Sequence, residues 1–236
     1  MNARDVRKGP EDLAQRYKNW REGGLGAITE HLELAAVLDL LGSLEGKRVL
    51  DAGCGDGLYG LAASERGALV TGVDLSTDML AVARARSVAS GLVVDWKQAD
   101  VLALPFPDAS FDVVIAITML CVVTDAGCAV GELSRVLAPE GRLVIGDLHR
   151  WSLWALSRRI RGWAGNAFWS GAHFWTAHEL QKLLTDANLR PGRVRGAVYY
   201  PPVGALACLI APMDPSLSRL GTFGSGFLMV EGVKSK

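Results

Sequence analysis

Residues 48–57 constrain the fold more than any other part of the sequence. They read Arg-Val-Leu-Asp-Ala-Gly-Cys-Gly-Asp-Gly, a short apolar run that ends in glycines at positions 53, 55 and 57. A helical pattern follows at once, with Leu58, Leu61 and Ala62 on one face. A strand, a glycine-rich turn and a helix open a nucleotide-binding α/β unit, in which glycines let a ligand approach the backbone closely.

The glycines of this turn satisfy two cofactor patterns. Gly55, Gly57 and Gly60 fit the dinucleotide pattern G-x-G-x-x-G, whereas Gly53, Gly55 and Gly57 fit the G-x-G-x-G turn of S-adenosylmethionine (SAM) enzymes. A dinucleotide site places its first glycine directly after the strand, which leaves a leucine at the third glycine position here. Asp51 at the strand end would lie close to phosphates, and it suits a ligand that carries an ammonium and a sulfonium. The register therefore favours SAM, although the glycines alone leave the choice open.

Composition and charge argue against several classes of function. The chain has 236 residues, half of them apolar, which is enough for one domain with a full core. Its 25 basic residues balance 25 acidic ones, so no overall field attracts it to nucleic acid or acidic lipid. No apolar run reaches the roughly 18 residues of a membrane-spanning helix, and residues 1–21 lack the apolar core of a signal peptide. We expect a cytoplasmic protein.

The cysteines at positions 54, 121, 128 and 208 lie far apart and form no C-x-x-C pair. Such spacing is typical neither of a disulfide framework nor of a zinc site, and it indicates free thiols in a reducing compartment. We expect no bound metal.

Apolar strands and amphipathic helices alternate from residue 48 to residue 147. After the first strand, which contains Val49 and Leu50, the pattern predicts strands at 68–73, 92–98, 111–117, 142–145, 194–200 and 227–233. The run at 111–117 is apolar except for one acid at its start, as in a central strand buried on both faces. The alternation predicts an α/β fold with a doubly wound parallel sheet.

Four blocks of sequence resemble the class I SAM-dependent methyltransferases, specifically the group that acts on small molecules. The blocks lie at 49–57, 72–76, 104–112 and 132–139, in the order and at the spacing of the family. The resemblance covers residues 30–147. It implies a Rossmann-like sheet of seven strands in which the last strand, at 227–233, runs antiparallel to the others.

The resemblance also implies positions around bound SAM. From the methionine end to the floor of the site, they are Asp51, Gly53, Gly55, Asp74 at the ribose, Leu75, Met79, Asp100 and Val101 around the adenine, and Ile117 and Thr118. Cys54 within the turn and Tyr17, as part of a flap formed by a predicted helix at 11–20, complete the predicted cofactor site. Asp74 also lies roughly twenty residues past the glycines, where nucleotide-binding folds place an acid against the ribose hydroxyls.

Two positions depart from the family pattern. Glu140 stands where the family turn usually has a second glycine, and we expect this to affect only that turn. Cys121 stands where many relatives carry a histidine, so any catalytic role of that histidine is absent here.

His149 is the predicted catalytic residue. It follows the fifth strand at the carboxyl edge, where open α/β sheets bind their ligands, and an imidazole there can take a proton from a hydroxyl or amine acceptor. The alternative is a loop histidine that faces water, and the sequence does not decide between the two. The predicted substrate-binding residues are Trp151, Trp169, His173, Tyr199 and Tyr200.

Residues 148–175 are rich in aromatic side chains and predict an insertion after strand five. The segment 151–163 mixes tryptophans with Arg158, Arg159 and Arg161, which is typical of a lid over an apolar pocket or of a basic helix on a membrane surface. We favour the lid, because the segment follows strand five directly. The single domain would thus comprise a helical cap (1–42), a SAM-binding core (43–147), the lid (148–175) and the rest of the sheet (176–236).

The predicted reaction is transfer of the SAM methyl group to oxygen, nitrogen or carbon of a small, fairly apolar acceptor by in-line displacement. Alignment of the reactants can supply about 7–11 kcal/mol, so strong acid–base residues are optional. A nicotinamide-dependent oxidoreductase and a non-catalytic SAM-binding subunit remain as alternatives. A nucleic-acid methyltransferase is disfavoured, because the chain has no Asn-Pro-Pro-Tyr motif, no Pro-Cys nucleophile and no basic excess. Contact with a membrane would imply a lipid or quinone acceptor. The sequence does not indicate the oligomeric state.

Overall fold

A computed structural model of the chain describes residue 17, residues 19–219 and residues 221–236. The described strands form one seven-stranded sheet in the order β3-β2-β1-β4-β5-β7-β6. They are β1 Arg48–Ala52, β2 Leu69–Asp74, β3 Asp95–Gln98, β4 Phe111–Ile117, β5 Leu137–Leu148, β6 Leu189–Ala197 and β7 Phe227–Lys234. The helices are α1 Gly24–Leu41, α2 Leu58–Ser64, α3 Thr77–Ser90, α4 Ala126–Val136, α5 Leu153–Trp163, α6 Ala167–Gly171, α7 Ala177–Asp186, α8 Gly204–Ile210 and α9 Asp214–Leu217.

The sheet is parallel except at its last strand. β1 pairs in parallel with β2 and β4, and β4 pairs in parallel with β5. β7 lies between β5 and β6 and is antiparallel to both. This arrangement confirms the predicted Rossmann-like fold, in which the last strand is reversed.

The core consists of two apolar layers, one on each face of the sheet. Alternate residues of β4 point to opposite faces: Val114 and Ala116 pack in the layer that contains α4 and α7, whereas Val113 and Ile115 pack in the layer that contains α1. β4 is therefore buried on both faces, as its continuous apolar run predicts.

Several boundaries differ from the sequence-based expectations. β5 begins at Leu137 rather than at residue 142. Glu140 has a left-handed backbone (φ 61°) inside this strand, where we expected a turn, and the pairing of β5 with β4 shifts register there. β6 begins at Leu189, and α1 begins at Gly24 rather than at 28. Helices α8 and α9 have no counterpart in the predicted pattern. The predicted helix at 11–20 lies mostly outside the described residues.

The C-terminal end of α1 is fastened to the sheet by two arginines. Arg142 on β5 donates to the carbonyl of Leu41, and Arg193 on β6 donates to the carbonyl of Leu40. Both guanidinium groups contact the buried carboxylate of Glu231 on β7, at 3.8 Å for Arg142 and 3.0 Å for Arg193. The pairing with Arg193 lowers the pKa of Glu231, so this carboxylate stays ionised and holds both arginines.

Trp96 on β3 packs against three glycines near the predicted site. A Cβ atom would lie 2.7 Å from its ring at Gly57, 2.9 Å at Gly60 and 2.2 Å at Gly72. The indole N–H donates to Ser87 Oγ at 2.8 Å, which fixes the orientation of the ring. Gly60, the third glycine of the dinucleotide pattern, is therefore explained by packing against a tryptophan.

We expect Gly72→Ala to lower the free energy of unfolding by about 1–3 kcal/mol, because the added methyl group collides with the Trp96 ring. Urea unfolding followed by circular dichroism measures the change. Gly131→Ala is the matched control: a Cβ there meets nothing within 4 Å on α4, and the better helix propensity should add up to about 1 kcal/mol. Equal effects of the two substitutions would contradict the packing account.

Candidate active site

The glycine turn after β1 requires residues without side chains. Gly53, Gly55 and Gly57 have φ values of 69°, 53° and 84°, in the left-handed region that favours glycine. A Cβ at Gly53 would also lie 2.6 Å from the Met119 side chain. The turn thus presents bare backbone at the carboxyl edge of the sheet, where ligands bind in folds of this kind.

Backbone hydrogen bonds attach this turn to the end of β2. The amides of Gly53 and Cys54 donate to the carbonyl of Val73 at 2.8 and 2.9 Å. The amide of Gly55 donates to Asp74 Oδ2 at 2.9 Å, and Asp74 Oδ1 accepts from the amide of Ser76 at 2.8 Å. Asp74 therefore organises the turn that follows β2 as well as the glycine turn, and each of its oxygens retains a lone pair for a ligand.

Asp51 is buried at the end of β1. Its Oδ2 accepts the amide of Gly60 at 2.8 Å, while Oδ1 has no hydrogen-bond partner among the described residues. Burial raises the pKa of Asp51 to about 7. Cys54 lies behind the turn, where burial raises the pKa of its thiol, so this cysteine acts as a small apolar side chain.

The other predicted cofactor residues follow the neighbouring strands. Leu75, after β2, is 62% exposed, and Met79 is buried in the first turn of α3, where the Ser76 side chain accepts its amide. Asp100 accepts the amide of Leu102 at 2.9 Å, and Val101 is buried beside it. Ile117 ends β4, and Thr118 follows with a left-handed backbone (φ 49°). Because β3, β2, β1 and β4 are adjacent, the structure brings these residues to one edge of the sheet.

The segment before α1 is tied to the glycine turn by ion pairs. Arg21 contacts Glu30 on α1 and lies 2.5 Å from Asp56, which belongs to the turn, and Asp56 also pairs with Arg86 at 2.9 Å. The guanidinium of Arg21 lies over the ring of Tyr17 at 5.1 Å. Tyr17 is therefore linked to the glycine turn through Arg21.

Asp147, at the end of β5, fixes the loop after β4. Its Oδ2 accepts the amide of Cys121 at 3.0 Å, and its Oδ1 accepts the amide of Leu148 at 2.7 Å. The side chain is fully buried, which raises its pKa to about 7. The backbone of residues 118–121 is thereby held against the end of β5, next to the floor of the predicted site.

His149 is buried and does not face bulk water, so the loop-histidine alternative is wrong. Its Nδ1 lies 3.0 Å from the carbonyl oxygen of Ser225 and 3.1 Å from Ser225 Oγ. The carbonyl can only accept, so Nδ1 carries the hydrogen and Nε2 keeps its lone pair; this tautomer is inferred from the contacts. Nε2 has no partner among the described residues, and burial lowers the pKa of His149, which favours the neutral imidazole of a proton acceptor.

The structure separates the predicted substrate-binding residues into two groups. Trp169 and His173 line a cavity of about 400 Å³ together with Arg150, Arg159 and Trp163. The other three residues do not line this cavity. Trp151 is exposed, Tyr199 donates its hydroxyl to the carbonyl of Gly221, and Tyr200 is buried with its hydroxyl 2.9 Å from Thr29 Oγ1.

Sequence reasoning did not single out two partly buried charged residues. Glu33 lies on the buried face of α1, and Arg158 projects from α5 with its guanidinium 5.0 Å from the rings of both Trp154 and Trp169. Burial raises the pKa of Glu33 to about 8, and the positive charge of Arg158 opposes this shift. An acid within the apolar repeat of a helix was the signal that could have revealed Glu33.

Comparison with known proteins identifies the family. The methyltransferase domain family matches residues 50–145. A ubiquinone biosynthesis O-methyltransferase from Idiomarina loihiensis is 36% identical over 184 residues, which cover 75% of this chain and 72% of that protein. The chain belongs to the SAM-dependent methyltransferases. A demethylmenaquinone methyltransferase from Thermus thermophilus is 48% identical over 101 residues, 42% of this chain and 46% of that protein.

Solved structures agree with the assignment of the fold. A SAM-dependent methyltransferase from Thermotoga maritima, described as a possible histamine N-methyltransferase, has a TM-score of 0.71 at 23% identity and covers 95% of this chain and 97% of that one. The methyltransferase is thus a class I enzyme that uses SAM and methylates a small molecule, as the sequence predicts. Within the described residues, no helix is long and apolar enough to cross a membrane, and no three potential metal ligands cluster.

The buried carboxyl group of Asp147 predicts a pH dependence of stability. Its pKa is higher in the folded chain than in the unfolded one, so protonation favours folding, and this stability is lost as the pH rises from about 4 to about 7. We expect the wild type to lose at least about 1 kcal/mol relative to Asp147→Asn between pH 5 and pH 8. Urea unfolding at the two pH values measures the difference.

Asp112→Asn serves as the control. Arg48 lowers the pKa of Asp112, which therefore titrates below this pH range. The difference in stability between this variant and the wild type should be the same at pH 5 and pH 8. A flat difference for Asp147→Asn as well would show that Asp147 is ionised throughout.

Proposed function

We propose that this methyltransferase acts on a hydroxyl group of an aromatic ring, in a molecule of the quinol type. The observation that carries the proposal is the buried His149 at the carboxyl edge, whose inferred tautomer leaves Nε2 with a lone pair and without a partner among the described residues. An acceptor hydroxyl must lose its proton as the new O–C bond forms, and a neutral imidazole suits that proton. The Idiomarina loihiensis relative is named for O-methylation in ubiquinone biosynthesis, which supports a hydroxyl acceptor, and the Thermus thermophilus relative is named for demethylmenaquinone, which supports a molecule of the quinol type.

The residues at the ends of β1 to β4 fit SAM. Bound SAM supplies a methyl group on a sulfonium, which is a good electrophile without further activation. In our proposal Asp51 Oδ1 binds its ammonium, the bare backbone at Gly53 and Gly55 accommodates its methionine part, and Asp74 accepts from its ribose hydroxyls. Further contacts would come from Cys54, Leu75, Met79, Asp100, Val101, Ile117, Thr118 and Tyr17.

The remaining task of the protein is alignment and exclusion of water. In the proposed reaction the acceptor oxygen forms a bond to the methyl carbon, the sulfur–carbon bond breaks, and His149 Nε2 takes the proton of the hydroxyl. Nδ1 of His149, hydrogen-bonded to Ser225, keeps the ring oriented for this step. The acceptor site would be lined by Trp169 and His173. Its more distant surroundings would include Trp151, Tyr199 and Tyr200.

We also propose a contact of α5 with the membrane surface. The exposed side of this helix carries Leu153, Leu156, Ile160 and Trp163 at spacings of three and four residues, and Trp163 is 81% exposed. Arg159 and Arg161 flank this apolar stripe, a combination that favours an interface with anionic lipid. A membrane-bound quinol would reach the site from such a surface.

The division into cap, core, lid and remaining sheet belongs to the same proposal, as do a cytoplasmic location and the absence of nucleic-acid partners.

The membrane contact predicts binding to lipid vesicles. Leu156→Glu combined with Ile160→Glu should reduce co-sedimentation with phosphatidylglycerol vesicles at least about fivefold, because charges on the stripe cannot enter the apolar interface. Val88→Glu is the matched control, since Val88 is an exposed apolar residue on the distant helix α3. Equal binding by all three proteins would argue against the contact.

The function itself is tested with methyl-labelled SAM and methylhydroquinone or catechol as acceptor. Wild-type protein should form a methyl ether.

His149→Gln should lower turnover by about 10²–10⁴-fold with unchanged SAM affinity, because only the proton acceptor is lost. Asp74→Asn should weaken SAM binding about tenfold or more, as measured by calorimetry, because a charged acceptor is removed. Transfer to amines with no transfer to either aromatic hydroxyl would overturn the proposed acceptor class.

A further inference from the structure

A cavity of about 400 Å³ lies between helices α5 and α6 and the segment that follows α6. Gly162 on α5 lets the two helices approach closely, because a Cβ atom there would lie 3.0 Å from the amide nitrogen of Ser170 on α6. The segment after α6 forms the third wall. It is held by a hydrogen bond of 2.9 Å from the amide of His173 to the carbonyl of Cys121. Close packing and backbone hydrogen bonding therefore fix the walls of the cavity.

The cavity adjoins the segments that carry the candidate site. Arg150, which lines it, directly follows His149 in the chain. Cys121, which anchors the backbone of His173, belongs to the loop after β4 that the Asp147 side chain holds in place. The wall of the cavity is thus attached both to the end of β5 and to the loop beside the floor of the predicted cofactor site.

Aromatic rings and cations line this cavity. Trp163, Trp169 and Phe174 supply the rings, and the lining also contains Arg150 and Arg159. Among the residues that the structure describes, no carboxylate lines the cavity. Apolar rings that surround a few charged donors are typical of a site for a small molecule, and guanidinium donors favour an anionic group on it.

The two arginines differ in their partners. Arg150 donates from Nε to the carbonyl of Phe174 at 2.9 Å and pairs with Glu179 at 2.8 Å, so its charge is balanced. Arg159 forms neither a hydrogen bond nor an ion pair with any residue that the structure describes. Its guanidinium lies 5.1 Å from the centre of the buried Phe174 ring, a contact that uses none of its N–H donors in a hydrogen bond. Arg159 therefore brings an unbalanced positive charge and free donors to the cavity.

We propose that this cavity holds an anionic substituent of the methyl acceptor, a carboxylate or an equivalent oxyanion, and that Arg159 binds it. A carboxylate accepts two parallel hydrogen bonds from one guanidinium, and it would balance the charge of the partly buried Arg159. The rings of Trp163 and Trp169 can contact the aromatic part of the same molecule. This inference deepens the proposed function and rests on it, because the acceptor site proposed there includes Trp169 and His173 of this cavity.

The charges of the lining disfavour the other kinds of substituent. An ammonium group would meet the positive charges of Arg150 and Arg159, and no carboxylate of the described lining would bind it. An uncharged substituent would accept weaker hydrogen bonds and leave Arg159 without a countercharge. The cavity thus predicts an order of affinity in which an acid binds more tightly than its amide, and the amide more tightly than the corresponding amine.

Three phenols of similar shape test this order: 4-hydroxyphenylacetate, 4-hydroxyphenylacetamide and tyramine, which carry an anionic, a neutral and a cationic group. Each is titrated by calorimetry into the wild-type protein saturated with S-adenosylhomocysteine at pH 7. We expect the acid to bind at least about tenfold more tightly than the amide, since hydrogen bonds between charged groups replace weaker ones, and tyramine to bind most weakly. The same order is expected for kcat/KM with methyl-labelled SAM.

The outcomes separate this inference from the proposed function. Equal binding of the acid and the amide, with methyl transfer to both, would overturn the anion subsite and leave the proposed function standing. Tightest binding of tyramine, or binding of none of the three by a protein that methylates catechol, would overturn the subsite as well. Tightest binding of the acid without methyl transfer to any phenol would contradict the proposed function, and the ligand of the cavity would then not be a methyl acceptor.

Substitutions test the assignment of the preference to Arg159. Arg159→Gln should lower the affinity for 4-hydroxyphenylacetate to that for the amide, because glutamine keeps hydrogen-bond donors and loses the charge. Arg159→Lys should retain part of the preference. Arg161→Gln is the matched control, because Arg161 is exposed on the same helix and does not line the cavity. Loss of the preference in Arg158→Gln and not in Arg159→Gln would overturn the assignment. Thermal unfolding and the affinity for S-adenosylhomocysteine establish that each variant is folded.

A larger side chain tests the cavity itself. Ser170→Phe should lower the affinity for both the acid and the amide at least about tenfold, because Ser170 lines the cavity and a phenyl ring would occupy its volume. Ala167→Phe is the matched control, since Ala167 is exposed at the start of the same helix and outside the lining. Both variants should bind S-adenosylhomocysteine as the wild type does. Unchanged binding of the acid by Ser170→Phe would place the ligand elsewhere and overturn the proposal.

Discussion

The attachment of the glycine turn to the end of β2 is the constraint on which the site depends. The amides of Gly53 and Cys54 share the carbonyl of Val73, and the amide of Gly55 reaches the carboxylate of Asp74. A buried amide without a partner costs about 1–3 kcal/mol, so these bonds fix the turn in a conformation that only glycines adopt readily. These hydrogen bonds hold the ends of β1 and β2 together, and this contact fixes the positions of the predicted cofactor residues.

The acids near the site share a structural role. Asp51, Asp74, Asp147 and Asp214 each accept one or two backbone amides. Asp51 accepts an amide in the first turn of α2, and the other three accept amides of residues that follow strands. Short polar side chains of this kind satisfy amides that leave the sheet without a partner. Burial raises the pKa of all four, because few countercharges accompany them. Glu33 differs from these acids, since no backbone amide among the described residues donates to its oxygens.

Much of the core could be predicted from the sequence, because its signals are local. The sequence Thr-Ala-His-Glu at 176–179 predicts a capping box, Ser76 a helix cap and Asn188 a left-handed residue, and the structure contains all three. The reversed direction of the last strand also agrees with the fold that the resemblance implies. Contacts between distant segments could not be predicted in this way. The burial of Tyr200 against Thr29 and the packing of the Trp96 ring on three glycines join residues that no sequence period relates. Helices α8 and α9 are short and depend on packing, so their apolar pattern was too brief to distinguish them from a loop.

Because Arg142 and Arg193 hold one end of α1, a tilt of this helix would pivot about that end. The carbonyls of Leu40 and Leu41 accept hydrogen bonds from the two arginines, and Glu231 holds both arginines in place. At about 1.5 Å per residue, Glu33 lies about 12 Å from this pivot and Gly24 about 25 Å away. A tilt of about 10° would therefore displace Glu33 by about 2 Å and Gly24 by about 4 Å, while the anchored end barely moves. The amplitude of any such motion grows toward the end of α1 that adjoins Arg21 and the glycine turn, where the ion pairs of Arg21 and the hydrogen bond between Thr29 and Tyr200 oppose it.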